Sequence, residues 1–558
     1  MQKINIIMKT YFISFLLLLF HLMAYNSRGA INERLNVACN IKLQSPPGKF
    51  LSEIKKANTD YTLVQTETID ISGASIIRLN FVNVNLGKKS YITLTSSHDN
   101  GTQKLASNSM EEWNYGSAYF NGNKVVVKLW QYKDDASVQC DVTKIEYLTG
   151  SQTIESQCGL TDDRLLSNSN QVGRIDFNCT GWQISSGAFL TAGHCTNGNV
   201  MNIIEFNVPA SSSNGGLVAS NPNDQYPINS GSITWQNSGT NGDDWCIFKV
   251  NPNANTGRLP HERNGFPDGF NGNFFRCTRD AQPGTVGLTT MVTGFGTDQV
   301  PAGSSGTFNA QNQTNQSAAG PFSAETGSGN SVGIEYTVDT EPANSGSPVY
   351  FNGSNTAIGI HTNGGCVQTN SPGVNSGTGF EEDDLEVALN NAYGSNTAFV
   401  DVDHPTFFTL GIFLNPYHTI SGAANNVPSG YTLKITEGYY QESVVITNNV
   451  ILQAPVGLVV INPLNQLQSN HYRVSQINTP EHAFTVNPNP VTNSISISCK
   501  ARIEHVLIYN STMQLLKSIS QIGNADELID VSDLSPGIYF IDAQSGGQSY
   551  KTKFVVSR

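Results

Sequence analysis

The chain predicts a mainly β, multidomain protein, and three observations carry that expectation. Its 558 residues exceed what one hydrophobic core organises, so three or four domains are expected. Charged residues make up only 13% and glycines number 51, a balance that suits short strands and turns. Short apolar or alternating runs recur between Gly and Asn turns along the length, whereas one segment stands out as helical. The net charge of −13 supplies no cation cluster for phosphate, which excludes nucleic acid and anionic membrane as expected partners.

Taken in order, residues 1–30 hold Lys3 and Lys9, then the apolar run from Tyr11 to Tyr25, then the small residues Ser27, Gly29 and Ala30. The run is short for a span and reads as a secretory signal, leaving no transmembrane segment after its removal. Residues 31–150 alternate in Ser75–Val82 and Val125–Trp130, the pattern of a small β-sandwich. Cys39 and Cys140 are placed to close it with a bridge, and the module could be a pro-region, a folding aid or a carbohydrate-type binding domain. Residues 151–398 contain Ser-, Gly- and Asn-rich stretches around 209–243 and 301–332 that read as long surface loops. They close on Glu381-Glu382-Asp383-Asp384 ahead of Leu385, Ala388, Leu389 and Ala392, an acidic first turn followed by an apolar helical face.

Residues 399–483 hold Gly430–Ile435 and the apolar runs Val444–Ile446, Val450–Leu452 and Leu458–Ile461. Their spacing resembles rungs of a parallel β-helix, and a β-rich linker domain fits equally well. Residues 484–558 carry Val486-Asn487-Pro488-Asn489-Pro490, then Leu534-Ser535-Pro536-Gly537-Ile538-Tyr539-Phe540, and finish on Lys553-Phe554-Val555-Val556. The alternation predicts a β-sandwich, and the ordered motifs resemble the C-terminal sorting domain of the bacterial type IX secretion system. That resemblance implies that the secretion machinery is a partner and that the product is secreted or attached to the outer surface.

Chemistry concentrates in the central region. Thr191-Ala192-Gly193-His194-Cys195, Asp243-Asp244 opening the run Trp245–Val250, and Asn344-Ser345-Gly346-Ser347-Pro348 follow one another in the order His, Asp, Ser. A hydroxyl nucleophile, a base and an orienting carboxylate are the parts that nucleophilic acyl transfer needs. Cys179-Thr180-Gly181-Trp182 before the His, and Thr293-Gly294-Phe295-Gly296-Thr297 before the Ser, add to the pattern.

Together these segments resemble the trypsin-like serine endopeptidases, so the expected centre is a chymotrypsin-like double β-barrel flanked by the amino- and carboxy-terminal β-sandwiches. The resemblance implies hydrolysis of peptide bonds in protein or peptide substrates, with no cofactor and no metal. It makes Ser345 the nucleophile, His194 the general base and Asp244 its orienting acid, and it places an oxyanion hole at the N–H groups of Ala343 and Ser345. A disulfide between Cys179 and Cys195 is implied as well. Thr340 and His361 resemble the pair with which glutamyl endopeptidases hold an acidic side chain. Asp339 stands instead where trypsin-like enzymes keep the carboxylate that receives Lys or Arg. Thr340-Glu341-Pro342 with Ser345-Gly346-Ser347-Pro348 also resembles lysyl endopeptidases, in which a cysteine near the mature start bridges to one after the pocket strand, implying Cys158 with Cys366. Acidic or broad preference is favoured over basic.

Two departures from the family pattern are informative. Asn344 replaces the Asp that pairs with a new amino terminus in activated zymogens, and no Ile-Val-Gly-Gly start occurs near residue 155. Ala343 replaces the usual Gly at a position expected to need positive φ. Of the remaining cysteines, Cys246 is expected to be a buried free thiol, and Cys277 and Cys499 are unassigned. The alternative from another class is a surface adhesin or carbohydrate-binding protein on an inactive protease scaffold.

Overall fold

The computed structural model describes residues 33–461 and 485–557 apart from internal stretches, the longest being 46–59, 150–157, 264–272 and 299–310. The expected signal segment and Cys499 lie outside the described residues. Two compact units are present, the larger holding the sandwich and both barrels, the smaller most of the carboxy-terminal region.

In the amino-terminal region two four-stranded antiparallel sheets form. One runs Glu33–Gln44, Gln139–Thr149, Ile76–Asn85, Phe120–Asn121; the other runs Tyr61–Asp70, Lys124–Tyr132, Tyr91–Ser96, Thr102–Ala106. Strict alternation along Lys124–Tyr132 turns Val125, Val127 and Leu129 inward, where they share a core with Ile77, Leu79 and Trp113. Burying one face of each sheet against the other is what makes the pair stable. Cys39 and Cys140 are not bridged there; both are free thiols. Cys39 sits in a bulge near Val142, while Cys140 pairs opposite Leu43. Along the partner strand the bulge lies opposite Thr143, three residues from Cys140 and about 10 Å at the rise of an extended chain, beyond disulfide reach.

The central region folds into two closed six-stranded rings. The first runs Val172–Ile175, Cys179–Gln183, Phe189–Thr191, Asp244–Val250, Gln225–Asn237, Ile203–Glu205 and back. Its interior packs Phe189, Phe206, Tyr226 and Phe248, whose rings meet in stacked and edge-on pairs. The second runs Thr356–Asn363, Pro348–Phe351, Thr289–Gly294, Gln316–Gly327, Val332–Tyr336, Asn375–Gly379, and closes where Asn375–Gly379 pairs with Thr356–Asn363. Closing each ring removes the exposed sheet edges. The stretches expected as surface loops hold strands instead: Gln225–Asn237 lies in one and Gln316–Gly327 in the other. Their Ser, Gly and Asn residues occupy partly exposed sheet positions, where polar side chains are compatible with pairing.

The acidic segment caps helix Asp383–Asn391: the Glu382 carboxylate accepts from the Asp384 and Leu385 N–H groups, and Leu385, Ala388 and Leu389 are buried. Beyond it, Thr397–Val400, Thr432–Ile435 and Ile451–Gln453 form a three-stranded parallel sheet, and Gly438–Tyr440 pairs with Val459–Ile461 in a second, two-stranded sheet. The run Val444–Ile446 is not a strand. In the carboxy-terminal region, a three-stranded and a four-stranded sheet enclose Ile495, Val506, Ile541 and Phe554. No helix among the described residues is long and apolar enough to cross a membrane.

Candidate active site

His194 lies in the 3-10 turn Gly193–Cys195, inserted where the first barrel leaves room for no side chain before it. A Cβ on Gly193 would fall 1.9 Å from the Gln236 carbonyl oxygen. Asp244 opens the next strand, and it holds His194 at two points: Oδ2 is 2.6 Å from Nδ1, and Oδ1 accepts the His194 backbone N–H at 2.8 Å. A carboxylate can only accept, so the proton resides on Nδ1 and Nε2 keeps its lone pair. The acid is buried and the imidazole is a third exposed, so the base is oriented from within and open to solvent. Thr378 of the second barrel fixes Asp244 in turn, exchanging hydrogen bonds of 3.0 Å with its N–H and carbonyl.

Ser345 sits in a tight loop strapped to the first barrel. Its carbonyl accepts from Thr180 N–H at 2.9 Å and lies 3.9 Å from Cys195 Sγ, beside the residue that follows His194. Thr180 Oγ1 donates to the Ala343 carbonyl at 2.9 Å, and the Trp182 indole N–H donates to the Gly346 carbonyl at 3.0 Å. Gly346 has φ +89°, and a Cβ there would meet Thr191 Oγ1 at 2.1 Å; glycine is demanded twice over. Ala343 does adopt positive φ, at +76°. Among the described residues the N–H groups of Ala343 and Ser345 meet no hydrogen-bond acceptor.

The glycines of the Thr293–Thr297 segment floor this loop. A Cβ on Gly294 would fall 2.1 Å from Ser347 Oγ, and one on Gly296 would fall 2.2 Å from Asn344 Oδ1. Asn344 Oδ1 accepts the Glu341 N–H at 2.9 Å. From the amino-terminal segment, Arg164 comes in close: its guanidinium is 2% exposed, pairs with Asp162 at 2.6 Å and approaches Asp298 at 3.9 Å. Burial disfavours its charge, but attraction to Asp162, Glu341 and Asp298 outweighs that and raises its pKa.

Thr340 is fully buried and accepts from Asn375 Nδ2 at 2.9 Å. His361 is 3% exposed, with Nδ1 2.6 Å from the Tyr336 hydroxyl. Burial, and then the nearby His194, press the His361 pKa down to about 3, so its ring is neutral. Asp339 is engaged elsewhere: its oxygens accept the backbone N–H groups of Cys158 at 2.6 Å and Asp163 at 2.8 Å. This carboxylate anchors the amino-terminal segment of the domain, next to the disulfide Cys158–Cys366. The disulfide Cys179–Cys195 is also formed, and Cys246 and Cys277 are buried free thiols. Thr378, Tyr336, Asn375 and Arg164 belong to no motif, and only their contacts reveal them; Thr180 stands in the quoted Cys179–Trp182 segment, but its tie to the Ser345 loop shows only in its contacts.

Residues 165–378 match the model of the trypsin family, and residues 485–557 match that of the secretion system C-terminal sorting domain. The chain is similar to an extracellular metalloprotease of Bacillus subtilis (strain 168), 32% identical over 193 residues that make up 34% of this chain and 52% of the relative. It thus spans about half the length of that curated relative. Among solved structures it is similar to a thermostable serine protease, AL20, from an extremophilic microorganism, at 17% identity over 39% of this chain and 98% of the other, with a TM-score of 0.26. It is also similar to the protease Anisep from Arthrobacter nicotinovorans, at 14% identity over 41% and 98%, with a TM-score of 0.30. The relative's name mentions a metal. Here the group of close ligand-type side chains found among the described residues is Cys179, His194 and Cys195. Its two sulfurs are joined in a disulfide, so no thiolate is present to complete a metal site.

Proposed function

We propose that this chain, a trypsin-like serine protease domain followed by a type IX sorting tail and therefore an exported bacterial protein of the cell surface or medium, is a working endopeptidase. The observation that carries the reading is the two-point hold of Asp244 on His194, beside the loop that presents Ser345. In this reading Ser345 Oγ attacks the peptide carbonyl and His194 Nε2 takes its proton. The acyl-enzyme forms as the leaving amine receives that proton, and water then releases the acid by the reverse relay. The N–H groups of Ala343 and Ser345 receive the oxyanion, where preorganised donors lower the barrier.

We further propose a preference for an acidic residue on the acyl side of the bond. Thr340 and His361 are buried, and in this reading the Tyr336 hydroxyl donates to Nδ1 rather than to the Ser376 carbonyl, so that the neutral His361 ring carries its proton on Nε2 and donates to a carboxylate. Asp339, held by two backbone N–H groups, leaves that preference unopposed. Labelling the full chain with a fluorophosphonate and profiling cleavage of a mixed peptide library test both statements. Absence of label on Ser345 removes the peptidase, and cleavage after Lys or Arg removes the acidic preference.

A further inference from the structure

The amino-terminal sandwich is fitted against the protease domain through reciprocal polar pairs. Gln225 accepts the Tyr119 N–H and donates to the Tyr119 carbonyl, both within 2.9 Å, and Asn121 exchanges bonds of 2.8 and 3.0 Å with the main chain of Ala219. Such buried, satisfied pairs fix one relative position. At this junction the turn Asp176–Phe177 adopts left-handed backbone at two successive non-glycine residues, φ +46° and +60°. The Tyr119 hydroxyl donates to Asp176 Oδ1 at 2.7 Å and so helps to hold a conformation that is unfavourable on its own.

Between this turn and the nucleophile loop lies a cavity of about 250 Å³ whose walls come from both regions. Arg34 and Leu148 of the sandwich face Phe177, Cys195, Gln313 and Ala343 of the protease domain. It shares no lining residue with the Thr340–His361 pair, and it reaches the main chain two residues before Ser345. Arg34 Nη2 is committed to Tyr119 at 3.0 Å and Glu146 at 2.6 Å. Its Nη1 comes only within 3.9 Å of Asp176, and the side chain is 35% exposed.

We infer that the sandwich builds the leaving-group side of the substrate cleft, and that Arg34 there receives a peptide carboxylate. The inference rests on the peptidase reading: the residue before the cut bond is assigned to Thr340 and His361, so the cavity at Ala343 takes the residues on the amine side of that bond. A guanidinium with free N–H groups, already oriented by Glu146 and Tyr119, binds a carboxylate by charge-assisted hydrogen bonds. An acidic side chain and a free C-terminal carboxylate share that chemistry.

The test compares, on the full chain, peptides that carry an acidic side chain or a free C-terminal acid after the cut bond with their neutral and amidated counterparts. Both kcat/KM and the Kd of the same peptides for Ser345→Ala are measured. Carboxylate peptides are expected to be favoured, with Arg34→Ala removing about tenfold of that preference and Arg34→Lys retaining part of it. Neutral peptides and fluorophosphonate labelling of Ser345 are expected to change less than the carboxylate peptides do. The arm that responds, side chain or terminus, identifies the source of the carboxylate. An equal loss for all peptides, or none, overturns the assignment. A wild-type chain that neither labels nor cleaves removes the peptidase alone, because the Kd comparison still decides the role of Arg34.

Discussion

Thr180 and Ala343 tie the first barrel to the Ser345 loop: the Thr180 hydroxyl donates to the Ala343 carbonyl at 2.9 Å while accepting the Phe295 N–H at 3.0 Å. The bond pins Ala343 at φ +76°, a conformation that costs a residue with a Cβ about 1 kcal/mol. Ala343→Gly is expected to keep kcat and to raise stability by up to about 1 kcal/mol, read from the denaturant midpoint and from peptide hydrolysis. A fall in midpoint beyond about 0.5 kcal/mol contradicts the strain.

Asp244→Asn keeps the shape but reverses the donor pattern at Nδ1. The amide then favours the wrong tautomer of His194, and kcat is expected to fall about 10⁴-fold. Steady-state peptide hydrolysis measures it, with circular dichroism to show that the barrel is intact. Retention of more than a tenth of the activity refutes the role.

Gly346→Ala places a Cβ 2.1 Å from Thr191 Oγ1 and 2.2 Å from the Thr180 carbonyl, at φ +89°. The loop must move off the first barrel, so fluorophosphonate labelling of Ser345 is expected to be lost while the cores stay folded. Normal labelling kinetics would show that the strap is dispensable.

His361 gives the fold an acid-side dependence. Its folded pKa, about 3, lies below the unfolded value of 6.5, so in that window the unfolded chain binds more protons. The contribution is complete above about pH 6.5 and is lost as pH falls toward 3. His361→Asn should flatten the stability slope between those values, as followed by urea titration at several pH values; an unchanged slope excludes the buried neutral ring.

The bridge Cys179–Cys195 closes a loop of separation 16. Replacing both residues with Ser is expected to cost about 3 kcal/mol, measured as a shift in midpoint, with the His194 turn the first part to loosen. An unshifted midpoint would mean that the barrel alone holds the turn.

His194, Asp244 and Ser345 stood out as candidates because their order is constrained and each sits in a small-residue context that strands alone would not require. Alternation read the sandwich strands correctly, since Lys124–Tyr132 buries every second side chain. Composition misread the segments around Gln225–Asn237 and Gln316–Gly327, because Ser and Asn at partly exposed sheet positions look like loop residues. The Cys39–Cys140 bridge failed on register, which no spacing along the chain reveals. Thr378, Tyr336 and Asn375 act through contacts between distant strands, so only the closure of the barrels assigns them.

Arg164 carries a last consequence. The loop ahead of Ser345, through Glu341, faces a buried cation that belongs to the polypeptide's interior rather than to a freshly cut end. Its charge is in place as soon as folding finishes, so the ordering of that loop does not wait on a cleavage event.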